Sequence, residues 1–370
     1  MHANGQNLFI VLFAIIKFMF SIMKKNIRFS SIFNLTVLAM VLMIFSGCSH
    51  IKKDSLSLWN DTAPAKQALT DYVKNVTNPK SADFIPEKER VAVFDLDGTL
   101  ILETDPTYFD WLLFEHRVLD DQDYKATREQ IEMARNSREK GIIPELTPKR
   151  EQIAASAYKD MTLNEFYDFI RKFMEEDQPG FTGMKRGDIF YRPMVEIVEY
   201  LVKNRFYVYI CSGTDRLIVR PLIDKNLPYI PYSQIIGSDS TIIAREQGDA
   251  DGLSYTFKKG DELVIGGKSI VKNLQMNKVS AIVREIGIQP VLAFGNSSSD
   301  ASMVNYAING NKHKALGFML CSDDLEREYG NMKKARKMYE DCEKYGWICI
   351  SMKNDWKTIY GENIKKRDRK

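Results

Sequence analysis

The chain has 370 residues, 52 basic against 49 acidic, and a formal net charge of +3. With 44% hydrophobic and 27% charged residues, it is neither a disordered chain nor a polytopic membrane protein, and it is long enough for about two domains with a core that needs no disulfide staples. The positive balance is local. Residues 1–47 hold Lys17, Lys24, Lys25 and Arg28 and no acid, which leaves 48 basic against 49 acidic residues elsewhere. No basic domain remains to hold nucleic acid.

Two apolar runs open the chain, Leu8 to Phe20 and Ile32 to Phe45. Each is too short for a clear membrane span. Between them Met23-Lys24-Lys25-Asn26-Ile27-Arg28 reads as a positive n-region, the second run as an h-region, and Ser46-Gly47-Cys48 as a small-residue cleavage site. Met23 reads as the start, with 1–22 an upstream extension; the alternative is a membrane anchor built from both runs. Ser-Gly-Cys after an h-region resembles the lipobox of bacterial lipoproteins, with Phe45 where Leu is usual. That resemblance implies cleavage before Cys48, lipidation of its thiol and a body held at a membrane surface outside the cytoplasm. Ser49 after the cysteine implies the outer membrane, facing the periplasm or the cell surface. Residues 49–66 are polar and suit a tether, and 48–87 are assigned to lipidated cysteine and tether. Cys211, Cys321, Cys342 and Cys349 form no Cys-x-x-Cys pair, and His50, His116 and His313 lie far apart, so the cysteines read as buried or free thiols rather than zinc ligands.

Further along, Arg90 to Phe94 is an apolar run ending in Asp95 and Gly98. It predicts a buried strand followed by a turn. About 90 helical-looking residues follow. Pro106 opens a helix carrying Phe109, Trp111, Leu112 and Leu113; Asp123 to Arg138 is a charged second; Pro148 opens a third. Thr162-Leu-Asn-Glu165 is a capping box for a fourth, with Leu163, Phe166, Phe169, Ile170 and Phe173 inside. Pro193 then starts a helix with Met194, Ile197, Val198, Leu201 and Val202 inward, leading to a second strand at Phe206–Cys211 and a turn at Ser212-Gly213. Residues 233–268 alternate like β-hairpins, turning at Asp251-Gly252 and Gly260-Asp261. Val279, Ile282, Val283 and Ile286 form one helical face before a third strand, Pro290–Phe294, and Ala315 to Leu320 is a fourth. Strands alternating with helices predict a doubly wound parallel α/β sheet, with its ligand at the carboxyl ends of the strands.

Those strand ends carry the chemistry. Asp95-Leu96-Asp97-Gly98-Thr99-Leu100 places two carboxylates two residues apart, one suited to attack and one to proton transfer. Asp95 can also ligate Mg²⁺, a hard cation that takes oxygen. Ser212 and the Gly213 amide suit an anion cradle. Lys278 can reach a phosphate as a point charge. Gly295-Asn296-Ser297-Ser298-Ser299-Asp300 brings oxygen ligands to the same crevice. Gly266-Gly267-Lys268-Ser269 ends like a P-loop, but Glu262 stands where that motif needs glycine, so it reads as a hairpin turn.

In this order the four pieces resemble the four motifs of the haloacid dehalogenase superfamily of phosphohydrolases, in its phosphoserine-phosphatase-like branch, over about residues 88–360. The resemblance implies a Rossmannoid core at 88–104 and 186–370, a helical cap at 105–185 inserted after the first strand, and a small β-hairpin insert. It implies that Asp95 attacks phosphorus to form an aspartyl-phosphate and that Asp97 protonates the leaving alcohol. Thr99 orients the loop, Ser212, Gly213 and Lys278 bind the phosphoryl group, and Asp95, the Asp97 carbonyl, Asp300 and Asn296 hold Mg²⁺. Asn296 replaces a common aspartate, and Val279 replaces a common proline after the lysine, so Lys268 and Lys272 stay in view as alternatives to Lys278. The expected partner is a small phosphorylated substrate, with Tyr108, Trp111, Glu103 and Arg192 as contacts to its alcohol. A weakly catalytic binding or scaffold lipoprotein and a phosphotransferase are the alternatives to a phosphatase.

Overall fold

The computed structural model describes residues 56–103 and 106–368. Cys48 and both leader runs lie outside them. The described chain begins with α1 (Pro64–Thr77), which buries Ala65, Leu69, Tyr72, Val73 and Val76. Leu56, Trp59 and Ala63 before it are buried as well, and the Trp59 indole packs edge-on against Trp356 and donates to the Pro193 carbonyl at 3.1 Å. From residue 56 on, this segment is therefore core and not tether. The reason is readable: the apolar spacing of 65, 69, 72, 73 and 76 is one helical face.

β1 (Val91–Phe94) follows, buried at all four residues. Helices α2 (Phe109–Leu119), α3 (Arg128–Lys140), α4 (Pro148–Ser156) and α5 (Leu163–Met174) come next. Strand β2 (Phe181–Thr182) then precedes α6 (Arg192–Lys203), β3 (Tyr207–Asp215) and α7 (Arg216–Ile223). β4 (Ile235–Ala244) and β5 (Leu263–Val271) precede α8 (Met276–Glu285), β6 (Leu292–Gly295) and α9 (Ala301–Ile308). The chain closes with β7 (Leu316–Cys321), α10 (Met332–Tyr345), β8 (Ile348–Ser351), α11 (Met352–Asp355) and β9 (Lys365–Lys366), the last pairing with β2.

Seven strands make one sheet in the order β5-β4-β3-β1-β6-β7-β8. All neighbours are parallel except β4 and β5. The fold is thus α/β on a mostly parallel sheet. β1 lies between β3 and β6, with Phe94 opposite Ile210 on one side and Phe294 on the other. A strand so enclosed reads as an unbroken apolar run, because both its faces are covered. Its carboxyl end points Asp95 and Asp97 into the crevice shared with the ends of β3 and β6.

Local capping decides where α2–α5 begin. α3 starts at Arg128 and not at Asp123, because Thr127 and Gln130 form a reciprocal capping box. α5 has the expected box at Thr162 and Glu165 and buries Phe166, Ile170 and Phe173; Phe169 is half-buried and faces His116. α2 starts at Phe109, three residues after Pro106. These helices share one continuous apolar cluster with the sheet.

Four further expectations change. β3 runs on through Ser212-Gly213-Thr214 to Asp215, with its register to β4 shifting between Cys211 and Asp215. The hairpin pattern resolves into one wide β4–β5 hairpin, whose long connection holds two short 3₁₀ turns. Gly266 to Ser269 lie inside β5 rather than in a turn, and Gly267 takes φ +74° beside a register shift, as bulged strands do. Val283 is exposed, and the buried face of α8 is Lys278, Val279 and Ile282. Cys211, Cys321 and Cys342 are buried, Cys349 is half-buried, and all four are free. Among the described residues no helix is long and apolar enough to cross a membrane.

Candidate active site

The site assembles at the carboxyl ends of β1, β3 and β6. Immediately after β1 the chain turns sharply: the Gly98 amide bonds to the Ile101 carbonyl at 2.8 Å and those of Thr99, Leu100 and Ile101 to the Leu96 carbonyl. Gly98 takes φ +77°, a conformation L-residues avoid. A Cβ there would also meet the Asn296 amide nitrogen at 1.9 Å. Glycine is required twice over, by conformation and by the approach of the β6 loop.

Lys278 sits at the centre. It is fully buried, reached from the first turn of α8, and its Nζ donates to Asp95 Oδ1 at 2.5 Å and to Asp300 Oδ1 at 2.7 Å. The other Asp300 oxygen accepts from the amides of Asn296 and Ser297 and from Ser297 Oγ, each at 3.1 Å. Thr99 Oγ1 donates to Asp95 Oδ2 at 3.3 Å and lies 3.5 Å from Asn296 Oδ1. Of the three candidate lysines, Lys278 is the one that meets the carboxylates. Lys272 lines the cleft and pairs with Glu151, and the exposed Lys268 points toward Asp249.

Charge sets the electrostatics. Burial and the neighbouring Asp300 carboxylate raise the Asp95 carboxyl, against the opposing Lys278 ammonium. Lys278 is held above the ordinary lysine value by Asp300 and Asp95, although burial alone would lower it. Both directions follow from one ammonium serving two carboxylates: with both ionised, the buried trio keeps a net negative charge. Asp97 is also raised well above the ordinary carboxylate range, by burial first and then by Asp110 and Asp95. Its Oδ2 accepts from Thr214 Oγ1 at 2.8 Å and Ser212 Oγ at 3.4 Å. Its Oδ1 is buried and has no hydrogen-bond partner. An unpaired buried carboxylate oxygen is costly and marks the place where a ligand would complete the site.

A hard cation fits this donor set. Two carboxylates, the Asn296 amide oxygen and the main-chain carbonyl after β1 are all oxygens, as Mg²⁺ prefers, and the cluster has negative charge left over. Among the described residues no three His, Cys, Asp or Glu side chains form a metal-holding group, so any such site depends on the amide and the carbonyl.

Asp95, Asp97, Thr99, Ser212, Gly213, Lys278, Asn296 and Asp300 thus gather around one crevice. Two roles shift. Ser212 Oγ accepts from the Thr214 amide at 3.0 Å and is turned to Asp97 as much as to a bound anion. Thr214, absent from the expected set, makes the shortest hydrogen bond to Asp97. Ser212 and Thr214 alternate on one face of a strand, so the spacing held the signal once β3 is known to continue past Cys211. Glu103, Tyr108 and Trp111 line the cleft, a space of about 580 Å³, and Glu103 pairs with Lys334 at 2.5 Å. Arg192 does not line it; its guanidinium donates to Asn226 at 3.2 Å.

Comparisons with known proteins return solved structures and one family model. A solved structure from Anaerococcus prevotii, described as a conserved protein of unknown function, aligns over 82% of this chain and 96% of its own, at 13% identity and a TM-score of 0.49. Cytosolic 5'-nucleotidase IIIB bound to cytidine aligns over 80% of this chain and 87% of its own, at 12% identity and a TM-score of 0.47. A substrate-bound phosphoserine phosphatase aligns over 71% and 92%, at 15% identity and a TM-score of 0.36. No curated protein matches the chain in sequence. The model of the haloacid dehalogenase-like hydrolases matches residues 92–305, from within β1 to within α9 and across every candidate site residue. The chain belongs to the haloacid dehalogenase-like hydrolase family.

Proposed function

We propose that the chain is a Mg²⁺-dependent phosphomonoester hydrolase of the phosphoserine-phosphatase-like branch, working through an aspartyl-phosphate and held at the bacterial cell envelope by lipid on Cys48. The observation that carries the reading is the convergence of Asp95, Asp97, Lys278 and Asp300 at one place from two strand ends and a helix. Asp95 bonds to phosphorus as the phosphorus–oxygen bond to the alcohol breaks, and Asp97 gives its proton to the departing oxygen. In the second half Asp97 takes a proton from water, the water oxygen bonds to phosphorus, and the bond to Asp95 breaks to release phosphate. Lys278 and the Gly213 amide offset the charge spread over the phosphoryl oxygens. Asp95, the Asp97 carbonyl, Asn296 and Asp300 would hold Mg²⁺, whose charge would do the same. Helices α2–α5 act as the cap that keeps water from the first step.

The test is phosphate release from an aryl phosphate by the purified full chain with millimolar Mg²⁺, compared with Asp95→Asn and with added EDTA. Turnover that both changes abolish supports the reading. Turnover no greater than that of Asp95→Asn sinks it and leaves a binding or scaffold protein. Transfer to added glycerol would recast it as a phosphotransferase. Loss of lipid labelling in Cys48→Ala tests the anchor.

A further inference from the structure

Past the cleft beside Asp95 and Asp97 lies a second cavity, of about 80 Å³, that shares Asp110, Trp111, Arg150 and Lys272 with it. By the water-centre measure one water occupies about 10–15 Å³, so this space takes roughly half a dozen waters or a single six-membered ring. Phe114, Ala154, Ala155, Phe166, Ile218 and Ile265 supply an apolar wall, and Asp215, Ser238, Asp239, Ser240 and Ser269 line it with polar groups. The Trp111 ring at the neck is fixed between the Arg150 guanidinium, 4.8 Å above it, and Phe114, edge-on at 5.4 Å.

The charges around the neck cancel. Arg150 and Lys272 face Asp110 and Glu151, with Glu151 3.3 Å from Arg150 and 3.1 Å from Lys272. Two cations and two carboxylates give the neck no net formal charge. Deeper in, Asp215 is satisfied by the Leu217 amide at 2.9 Å and Ser240 Oγ at 2.7 Å, and Asp239 by Arg216 at 2.5 Å. Two buried polar atoms of its lining residues have no hydrogen-bond partner, Arg150 Nε and the Tyr158 hydroxyl. Tyr158 is 6% exposed, and its hydroxyl is buried without a partner. A buried hydroxyl left unpaired is costly, and a ligand atom in the cavity would remove that cost.

We propose that this cavity is the subsite for the leaving alcohol, and that the substrate is the phosphate ester of a neutral, compact, mainly apolar alcohol of about one ring, bearing a polar atom that meets the Tyr158 hydroxyl. The assignment rests on the phosphatase reading and adds the substrate class. Small charged or polyol esters leave the apolar wall uncovered; a bulky charged alcohol meets a neck with no net charge to attract it.

The experiment compares benzyl phosphate with glycerol 3-phosphate, two esters of alkyl alcohols, on the full chain with Mg²⁺. The expected kcat/KM ratio is at least about tenfold in favour of benzyl, the scale on which an apolar pocket discriminates. Ala155→Phe, which fills the cavity, lowers turnover of benzyl phosphate more than that of glycerol 3-phosphate and so removes the ratio. A 3-hydroxybenzyl ester gains over benzyl in the wild type and not in Tyr158→Phe. Equal rates for benzyl and glycerol esters, or an equal loss of both in Ala155→Phe, overturn the assignment. Binding of benzylphosphonate, which cannot be hydrolysed, is measured by calorimetry in parallel. Binding that Ala155→Phe weakens about tenfold supports the subsite even if no ester turns over, a result that would sink only the phosphatase reading. No binding by the wild type overturns the subsite itself.

Discussion

The two ends of β1 hold charge in opposite ways. At the amino end Glu89 accepts from Lys312 at 2.6 Å and His313 at 2.7 Å, and the Arg90 guanidinium donates to the carbonyls of Ile85 at 2.8 Å and Asn204 at 3.4 Å. Each group there has its partners. At the carboxyl end one ammonium serves two carboxylates, and Asp97 keeps a buried oxygen with no partner. The first arrangement resolves charge and ties loops together; the second stores it for a ligand. A buried site left short of partners lowers stability, and that is the usual exchange between stability and activity.

The sharpest way to break this contrast is Asp95→Asn. Removing the nucleophile lowers phosphate release by at least about a thousandfold. Because it also removes a carboxylate from an over-negative buried cluster, denaturation is expected at the same or a higher denaturant concentration than for the wild type. Lower stability would mean that the trio is balanced after all. Lys278→Met is the converse. It leaves Asp95 and Asp300 buried together with no cation, and losing one partner of a buried ion cluster costs about 3–5 kcal/mol. Equilibrium denaturation measures it; a cost below about 1 kcal/mol would show that the carboxylates do not share the ammonium.

Thr214→Val is a smaller and more selective change. The Thr214 hydroxyl fixes Asp97 Oδ2 and leaves the buried Oδ1 without a partner. General acid catalysis is worth about 10²–10⁴-fold, and a misaimed acid keeps part of that. We expect alkyl phosphates, whose alcohols need the proton, to slow by about 10–100-fold. An aryl phosphate with a good leaving group should slow by about threefold or less, and Thr214→Ser, which keeps the hydroxyl, should recover the alkyl rate. A uniform loss across leaving groups would assign Thr214 to packing alone.

How much of this was legible depends on the range of the interactions. Asp95, Asp97 and Gly98 lie within four residues, and the turn that aims them closes locally, so the motif was plain. Lys278 and Asp300 meet Asp95 across 183 and 205 residues of chain; motif order marked them, but only the sheet order puts β1 beside both β3 and β6. Thr214 was missed because a Ser-Gly pair suggested a turn where the strand continues. The helical face of α1 was visible in its apolar spacing, yet the polar stretch before it drew the reading toward a tether. Arg192 failed for a different reason: helix α6 turns it to Asn226, and nothing in its neighbours gives that direction.

The amino end of β1 supplies the control. Hydrogen bonds from Lys312 first, and then His313, hold the Glu89 carboxyl down to about 2, against an ordinary glutamate value near 4.5. A carboxyl depressed on folding stabilises the native state above its unfolded value, and that contribution is lost as pH falls through its folded value. The stability gap between the wild type and Glu89→Gln should therefore be full at pH 6 and shrink steadily from about pH 4.5 toward 2. Phosphatase activity at pH 6 should not change, because this end of the strand faces away from the crevice. The effect is small, since surface pairs contribute little and are screened by salt, so raising the ionic strength should narrow the gap further. A gap that ignores both pH and salt would mean that Glu89 acts through packing. A loss of activity would mean that the two ends of β1 are coupled, and that resolved charge at one end helps to hold the unresolved charge at the other.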